Sequence, residues 1–298
     1  MIKFFIKLLL LFFSIIFLKR YLSYDFSSLG EIIKTLNFSY VFVSLILLLI
    51  SFILGSYKWY LLFKFSHPNS EFKPFLISCT KAAFISNFMF GSLVADGYRV
   101  YDISKKFNVS YKTSLFFALL DRFLTLLFFI LTVLILFFTF NLSDLNHYFF
   151  KYKIIMMFLF LFLFLFCLLS FVIINNFNII AIINSGKFRI LLQPKIVSLY
   201  FFLSFISIIF IGLTFQMLAM AINLHIPYLE LPKILTGLLA NYFPLSYSGW
   251  GVREIAVSFI LKPYNTNGQI ITTSILFGFL NSFIALPGIY FYFKKRKK

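Results

Sequence analysis

In residues 113–140, TSLFFALLDRFLTLLFFILTVLILFFTF, only two side chains are charged, and these two, Asp121 and Arg122, stand next to each other. About 20 apolar residues cross a bilayer as a helix, so this stretch is long enough to span. The rest of the chain agrees with it: 61% of the 298 residues are hydrophobic, 12% are charged, and the mean hydropathy is +0.97. A water-soluble domain carries roughly 45–50% apolar and about 25% charged residues. The chain is therefore a multi-pass membrane protein. Its net charge of +18 is carried by Lys and Arg lying between apolar runs. That pattern fits a membrane surface and excludes the basic face of a soluble nucleic-acid binder.

Five further apolar stretches read as spans, at roughly 4–18, 40–59, 154–174, 196–223 and 270–293. No small-residue cleavage pattern follows 4–18, where the chain continues Lys19-Arg20-Tyr21, so that stretch is expected to be a retained helix. Two more, about 75–98 and 233–260, are apolar but interrupted by polar and helix-breaking residues, which predicts re-entrant or discontinuous helices. Shifting the chain by 154 residues lays spans on spans and the two broken segments on each other. Asn87, Ser92, Gly97 and Arg99 then match Asn241, Ser246, Gly251 and Arg253.

The expected fold is all-α: a polytopic membrane helix bundle with six full spans plus two re-entrant or broken helices and an inverted internal repeat. It forms one integral membrane domain over residues 1–298, with pseudo-repeats of about 1–150 and 151–298. If each broken segment dips in and returns, each half crosses three times, and the odd number inverts the second half. If both segments cross fully, there are eight spans and the repeat is parallel. With six spans and the N-terminus inside, 17 of the 27 basic residues fall on the inner side and eight on the outer. The bias predicts both termini in the cytoplasm of a cell (inner) membrane protein.

Only nine residues are acidic, so their positions are informative. A charge at the centre of a spanning helix costs roughly 2.5–3.5 kcal/mol on insertion scales and normally faces a partner or a polar cavity. Three groups meet this description. Asp96-Gly97-Tyr98-Arg99 ends the first broken segment and reads either as part of a site or as an interfacial turn with a snorkelling arginine. In Ser246-Tyr247-Ser248-Gly249-Trp250-Gly251-Val252-Arg253-Glu254, the glycines allow positive φ or close approach, and a helix restarting at Val252 would aim its amides at an anion. Asp121 and Arg122 project about 100° apart on a helix, so each is expected to find a partner elsewhere. With Asn241, these supply the expected substrate-binding set: Asp96, Arg99, Asp121, Arg122, Asn241, Ser246, Ser248, Gly249, Gly251, Arg253 and Glu254. Cys79 and Cys167 form no ligand-spaced pair, and no metal or other cofactor is expected.

These residues carry a family resemblance. Asp96-Gly97-Tyr98-Arg99, Asp121-Arg122, and Asn241-Tyr242-Phe243-Pro244-Leu245-Ser246 through Gly249-Trp250-Gly251-Val252-Arg253-Glu254 resemble the membrane region of lysylphosphatidylglycerol synthases and their stand-alone flippase-like relatives. The run Tyr247-Ser248-Gly249-Trp250 departs from the Pro-Gly-Gly-Leu-like run of that family. No part of residues 1–298 reads as the synthases' soluble aminoacyl-transferase domain.

Three functions are compatible with this reading. The first is a lipid translocase moving an anionic, phosphate-bearing lipid or lipid-linked carrier between leaflets, with Arg99 and Arg253 on the phosphate and Asp96 and Glu254 holding those arginines when the site is empty. The second is a membrane-embedded head-group transferase, for which the sequence offers no intramembrane His or nucleophile–base pair, so an enzyme is not the favoured expectation. The third is a non-transporting subunit that partners a separately encoded lipid-modifying enzyme.

Overall fold

The computed structural model describes residues 35–90, 92–140, 193–242, 250–264 and 268–294. The expected spans at 4–18 and 154–174 lie outside these residues, as do Ser246, Ser248 and Gly249. The described residues are helical with no strand. The helices are α1 (Phe38–Ser66), α2 (Phe72–Ile85), α3 (Ser92–Phe107), α4 (Tyr111–Phe140), α5 (Pro194–Ala221), α6 (Leu231–Leu238), α7 (Val252–Ile260), α8 (Gln269–Ala285) and α9 (Pro287–Phe293). Four are long and apolar enough to cross a membrane: α1, α4, α5 and the run Gln269–Phe293 that joins α8 to α9. α1, α4 and α8–α9 contain the spans expected at 40–59, 113–140 and 270–293, and α5 covers the span expected at 196–223 as far as Ala221.

Local chemistry sets the helix ends. The Asn37 side chain accepts the Ser39 N–H at 3.1 Å and starts α1, and Pro194 occupies the first turn of α5. Asn108 and Asn223 take left-handed φ of 56° and 59° just beyond α3 and α5. There the amides of Val109 and Leu224 turn back to the carbonyls of Ser104 and Ala219, closing both helix ends. Pro287 has no N–H to donate, which separates α8 from α9.

At the centre α1 and α5 run antiparallel in close contact. The Asn37 amide donates to the Ala221 carbonyl at 2.9 Å, Ser44 Oγ to Thr214 O at 3.4 Å, and the Ser51 and Ser207 hydroxyls meet at 2.9 Å. Each step of seven residues forward on α1 meets seven residues backward on α5, the spacing of two closely packed helices. Small polar side chains let the backbones approach and hydrogen-bond across the seam. Large apolar side chains cover the outer faces: Phe38, Phe42, Phe202, Phe279 and Phe283 are all more than half exposed.

Both broken segments are helical hairpins. Phe75 near the start of α2 contacts Phe107 at the end of α3, with ring centroids 5.7 Å apart. In the second, Tyr264 beyond α7 donates to the Glu230 carboxylate just before α6 at 3.2 Å. The two feet of each hairpin thus sit together. With 14 residues, α2 is about 21 Å long, shorter than the roughly 30 Å hydrocarbon core. The first hairpin's feet pack on Phe63 near the C-terminal end of α1. The second follows the C-terminal end of α5, where Gln216 Nε2 donates to Pro227 O at 3.2 Å. Because α1 and α5 are antiparallel, the hairpins enter from opposite ends of the bundle.

The remaining long helices tie the hairpins together. α4 joins α3 through ion pairs and packs on α6 through Phe129, Ile130, Leu235 and Leu239. α8–α9 holds α7 through Ser274 and presses Gly288 against the Thr80 carbonyl of α2. A Cβ at Gly288 would collide with that backbone oxygen, which cannot rotate away. Gly288→Ala is therefore expected to destabilise the protein by about 1–3 kcal/mol. Gly97→Ala, where a Cβ meets nothing within 4 Å, should leave stability equal or raise it by about 0.5–1 kcal/mol. Thermal unfolding of the two purified variants in detergent distinguishes these outcomes.

Candidate functional site

Residues beside the two hairpin tips and the middle of the α1–α5 seam line a cavity of about 420 Å³, within the range of small-molecule sites. Its lining includes Ser51 and Lys58 from α1, Asn87 from the first tip, Asp96 and Arg99 from α3, Asp121 and Arg122 from α4, and Ser207 from α5. Asn241 and Tyr242 follow α6, Trp250 and Arg253 stand at α7, and Asn281 is on α8. Of the sequence-predicted residues, Asp96, Arg99, Asp121, Arg122, Asn241 and Arg253 thus meet around one space. Gly251 and Glu254 lie directly behind Arg253.

Asp96 and Arg99 stand one turn apart on α3 and face α4 together. The quartet Asp96-Gly97-Tyr98-Arg99 is inside a helix, so neither the placement at the segment's end nor the interfacial turn holds. Before it, α2 runs on into a π-helical turn over Ser86–Phe90, and the returning helix α3 starts at Ser92. Asp96 accepts Arg122 Nη2 at 2.7 Å and approaches Arg99 Nε at 3.2 Å. Arg99 reaches Asp121 Oδ2 through Nη2 at 3.4 Å and lies 4.6 Å over the Trp59 ring. Tyr200 of α5 donates to Asp121 Oδ1 at 2.7 Å. A continuous chain, Arg122–Asp96–Arg99–Asp121–Tyr200, therefore joins α3, α4 and α5. As expected, Asp121 and Arg122 do not pair with each other.

The second constellation is tighter. Gly251 has φ 87°, which suits glycine, and precedes the first turn of α7. The Glu254 carboxylate accepts the Gly251 N–H, so the anion expected at this helix start is supplied by the helix's own third residue. Arg253 donates to Glu254 Oε1 through Nη2 at 2.6 Å and to Ser274 Oγ through Nε at 2.9 Å, and its guanidinium lies over the Trp250 and Phe277 rings at 5.6 and 5.4 Å. The Arg253 and Glu254 side chains are 2% exposed, against 38% for Arg122 and 27% for Asp96. Arg253 is held in place, whereas the Arg122–Asp96 pair opens to the cavity.

Sequence reasoning passed over Lys58, Tyr200 and Asn281. Lys58 is 3% exposed, donates to Ser204 Oγ at 3.2 Å and lies 5.4 Å from the Tyr200 ring centroid. The signal was there, since a lysine inside an apolar span carries the same cost as the aspartate and arginine at 121 and 122.

An all-α chain with four membrane-length helices, two opposed hairpins and a buried ionic cavity defines a polytopic membrane protein with an internal polar site. The chain belongs to the family described as the lysylphosphatidylglycerol synthase TM region, whose model matches residues 1–288. A search of curated proteins gave no match.

Removing one member of a buried ion pair leaves the other uncompensated, at a cost of about 3–5 kcal/mol. Arg253→Met should therefore lower the unfolding midpoint and the amount of protein recovered from membranes. Arg253→Met combined with Glu254→Gln should recover part of the loss. Thermal unfolding of the single and double variants measures both effects.

Proposed function

We propose that the protein is a membrane lipid translocase that moves an anionic phospholipid or lipid-linked carrier between leaflets. The observation that carries this reading is the cavity between two hairpins that enter from opposite ends. A head group at that position has one hairpin between it and each face, so movement of either hairpin would open the cavity to one side. Four cations, Lys58, Arg99, Arg122 and Arg253, line the cavity against Asp96, Asp121 and, directly behind Arg253, Glu254. The remaining positive charge favours a ligand of net negative charge.

The antiparallel contact between α1 and α5 supports the inverted repeat. A shift of 154 places α1 on residues 192–220, almost the extent of α5, and two matched helices that lie antiparallel are related by a two-fold axis across them. The same shift takes the first hairpin to the second and α4 to α8–α9, so pseudo-repeats of about 1–150 and 151–298 follow. The hairpins then dip into the bilayer from opposite faces, and both termini face the cytoplasm of the inner membrane. An inside-negative potential assists outward movement of one negative charge by about 2.3 kcal/mol per 100 mV.

In this mechanism Lys58, Arg99 and Arg122 bind the phosphate, with Asp96 and Asp121 holding the two arginines between cycles. Arg253, with Glu254 and Gly251, fixes the second tip beside it. Asn241 completes the lining, and Ser246, Ser248 and Gly249, outside the described residues, are assigned to ligand binding by sequence alone.

Liposomes carrying the purified protein and dye-labelled phosphatidylglycerol, probed with a leaflet-restricted quencher, test this reading. The wild type should make the inner-leaflet dye accessible faster than protein-free vesicles, and Arg122→Gln should slow it about tenfold or more through loss of a charged hydrogen bond. A wild-type rate equal to that of empty vesicles would sink the proposal. Topology has its own test, with single cysteines placed at Asn69 and Pro263 in a chain whose Cys79 and Cys167 are serine. An impermeant thiol reagent should label the two from opposite faces of the membrane, and labelling from the same face rules out the inverted arrangement.

A further inference from the structure

The translocase reading leaves the head group open, and the lining of the cavity narrows it. Both cavity carboxylates are already committed: Asp96 to Arg122 at 2.7 Å and Arg99 at 3.2 Å, Asp121 to Arg99 at 3.4 Å and Tyr200 at 2.7 Å. An ammonium group entering the cavity would have to displace one of these arginines. A phosphate faces no such competition. Lys58 has no carboxylate within 4.0 Å among the described residues; its ammonium group donates to Ser204 and lies near the Tyr200 ring. With three donors and one such partner, it retains capacity for an anion.

Elsewhere the lining is neutral and polar, through Asn87, Asn241 and Asn281 from three different elements. A carboxamide offers both donors and an acceptor, and so pairs with a hydroxyl in either sense without charge. The Asn241 Oδ1 is buried with no hydrogen-bond partner among the described residues, which is costly unless a ligand supplies a donor. We propose that the cavity takes a phosphate joined to a hydroxylated, amine-free group, a sugar or polyol, with the phosphate at Lys58 and the hydroxyls at the asparagine carboxamides. This rests on reading the cavity as a head-group site.

The test uses binding to the purified full chain in neutral detergent, read as thermal stabilisation, because a ligand that binds only the folded state raises the midpoint. The probes are glucose 1-phosphate, phosphoethanolamine and inorganic phosphate at equal concentration. Glucose 1-phosphate should stabilise most, and phosphoethanolamine no more than inorganic phosphate. Asn241→Ala should weaken glucose 1-phosphate about fivefold and leave inorganic phosphate unchanged, as expected for one neutral hydrogen bond. Lys58→Gln should weaken all three by about tenfold or more, with Lys58→Arg restoring most of the loss. Phosphoethanolamine matching glucose 1-phosphate, an undiminished glucose 1-phosphate response in Asn241→Ala, or no shift with any probe would each overturn the inference. A chain that binds glucose 1-phosphate as described but moves no lipid would defeat translocation and leave the head-group assignment standing.

Discussion

The close antiparallel contact of α1 and α5 governs the placement of everything else. Its polar stitches, at Asn37–Ala221, Ser44–Thr214 and Ser51–Ser207, all pair small groups, so the backbones come near each other along most of their length. In a bilayer the hydrophobic effect gives helices little reason to associate, and packing and interhelical hydrogen bonds supply the attraction. Once these two helices are antiparallel, the segments that leave their C-terminal ends must start from opposite ends of the bundle. Each is too short to cross and too polar at its tip to face lipid. The tips therefore converge where the Ser51–Ser207 contact already provides a polar centre.

That convergence solves an electrostatic problem as well. Unsatisfied backbone and buried charge each cost several kcal/mol at membrane depth. The structure groups these liabilities so that each partly cancels another. Asp96 and Asp121 share Arg99, Arg122 closes one end of the chain and Tyr200 the other. Glu254 serves two donors at once, the Gly251 amide that starts α7 and the Arg253 guanidinium.

Much of this was legible in residues that violate a local pattern. Asp121 and Arg122 stand out within 113–140 because nothing else there is charged, and their adjacency on a helix already implied separate partners. The break at Gly251 was readable from glycine chemistry, and the four described spans from length and apolarity. What could not be read was where the first segment turns. The first helix of that segment runs on through a π-helical turn over Ser86–Phe90 with no proline to mark its end, so Asp96–Arg99 looked like an end when it is the second turn of a returning helix. Tyr200 and Asn281 were illegible for a different reason. Each is a single polar group in an apolar run, and its importance comes from which helix lies opposite, a fact of tertiary packing.

The two halves share a scaffold but not a chemistry. The positions that match Lys58, Asp121 and Arg122 under the 154-residue shift are Gly212, Ile275 and Leu276, and the match to Asp96 is Trp250. The second hairpin keeps only the arginine, Arg253, and fixes it with its own neighbouring carboxylate and a serine from α8. A symmetric cage would offer a charged ligand two equivalent resting places and two equal barriers. Here the ionic wall comes from the first half, while the second contributes a rigid tip, an indole and a carboxamide. The ionic contacts are spread over two elements of the first half, Asp96 and Arg99 on the α3 arm of its hairpin and Asp121 and Arg122 on α4, so any displacement of that hairpin acts directly on the charged pairs, whereas the second half holds its arginine within its own constellation.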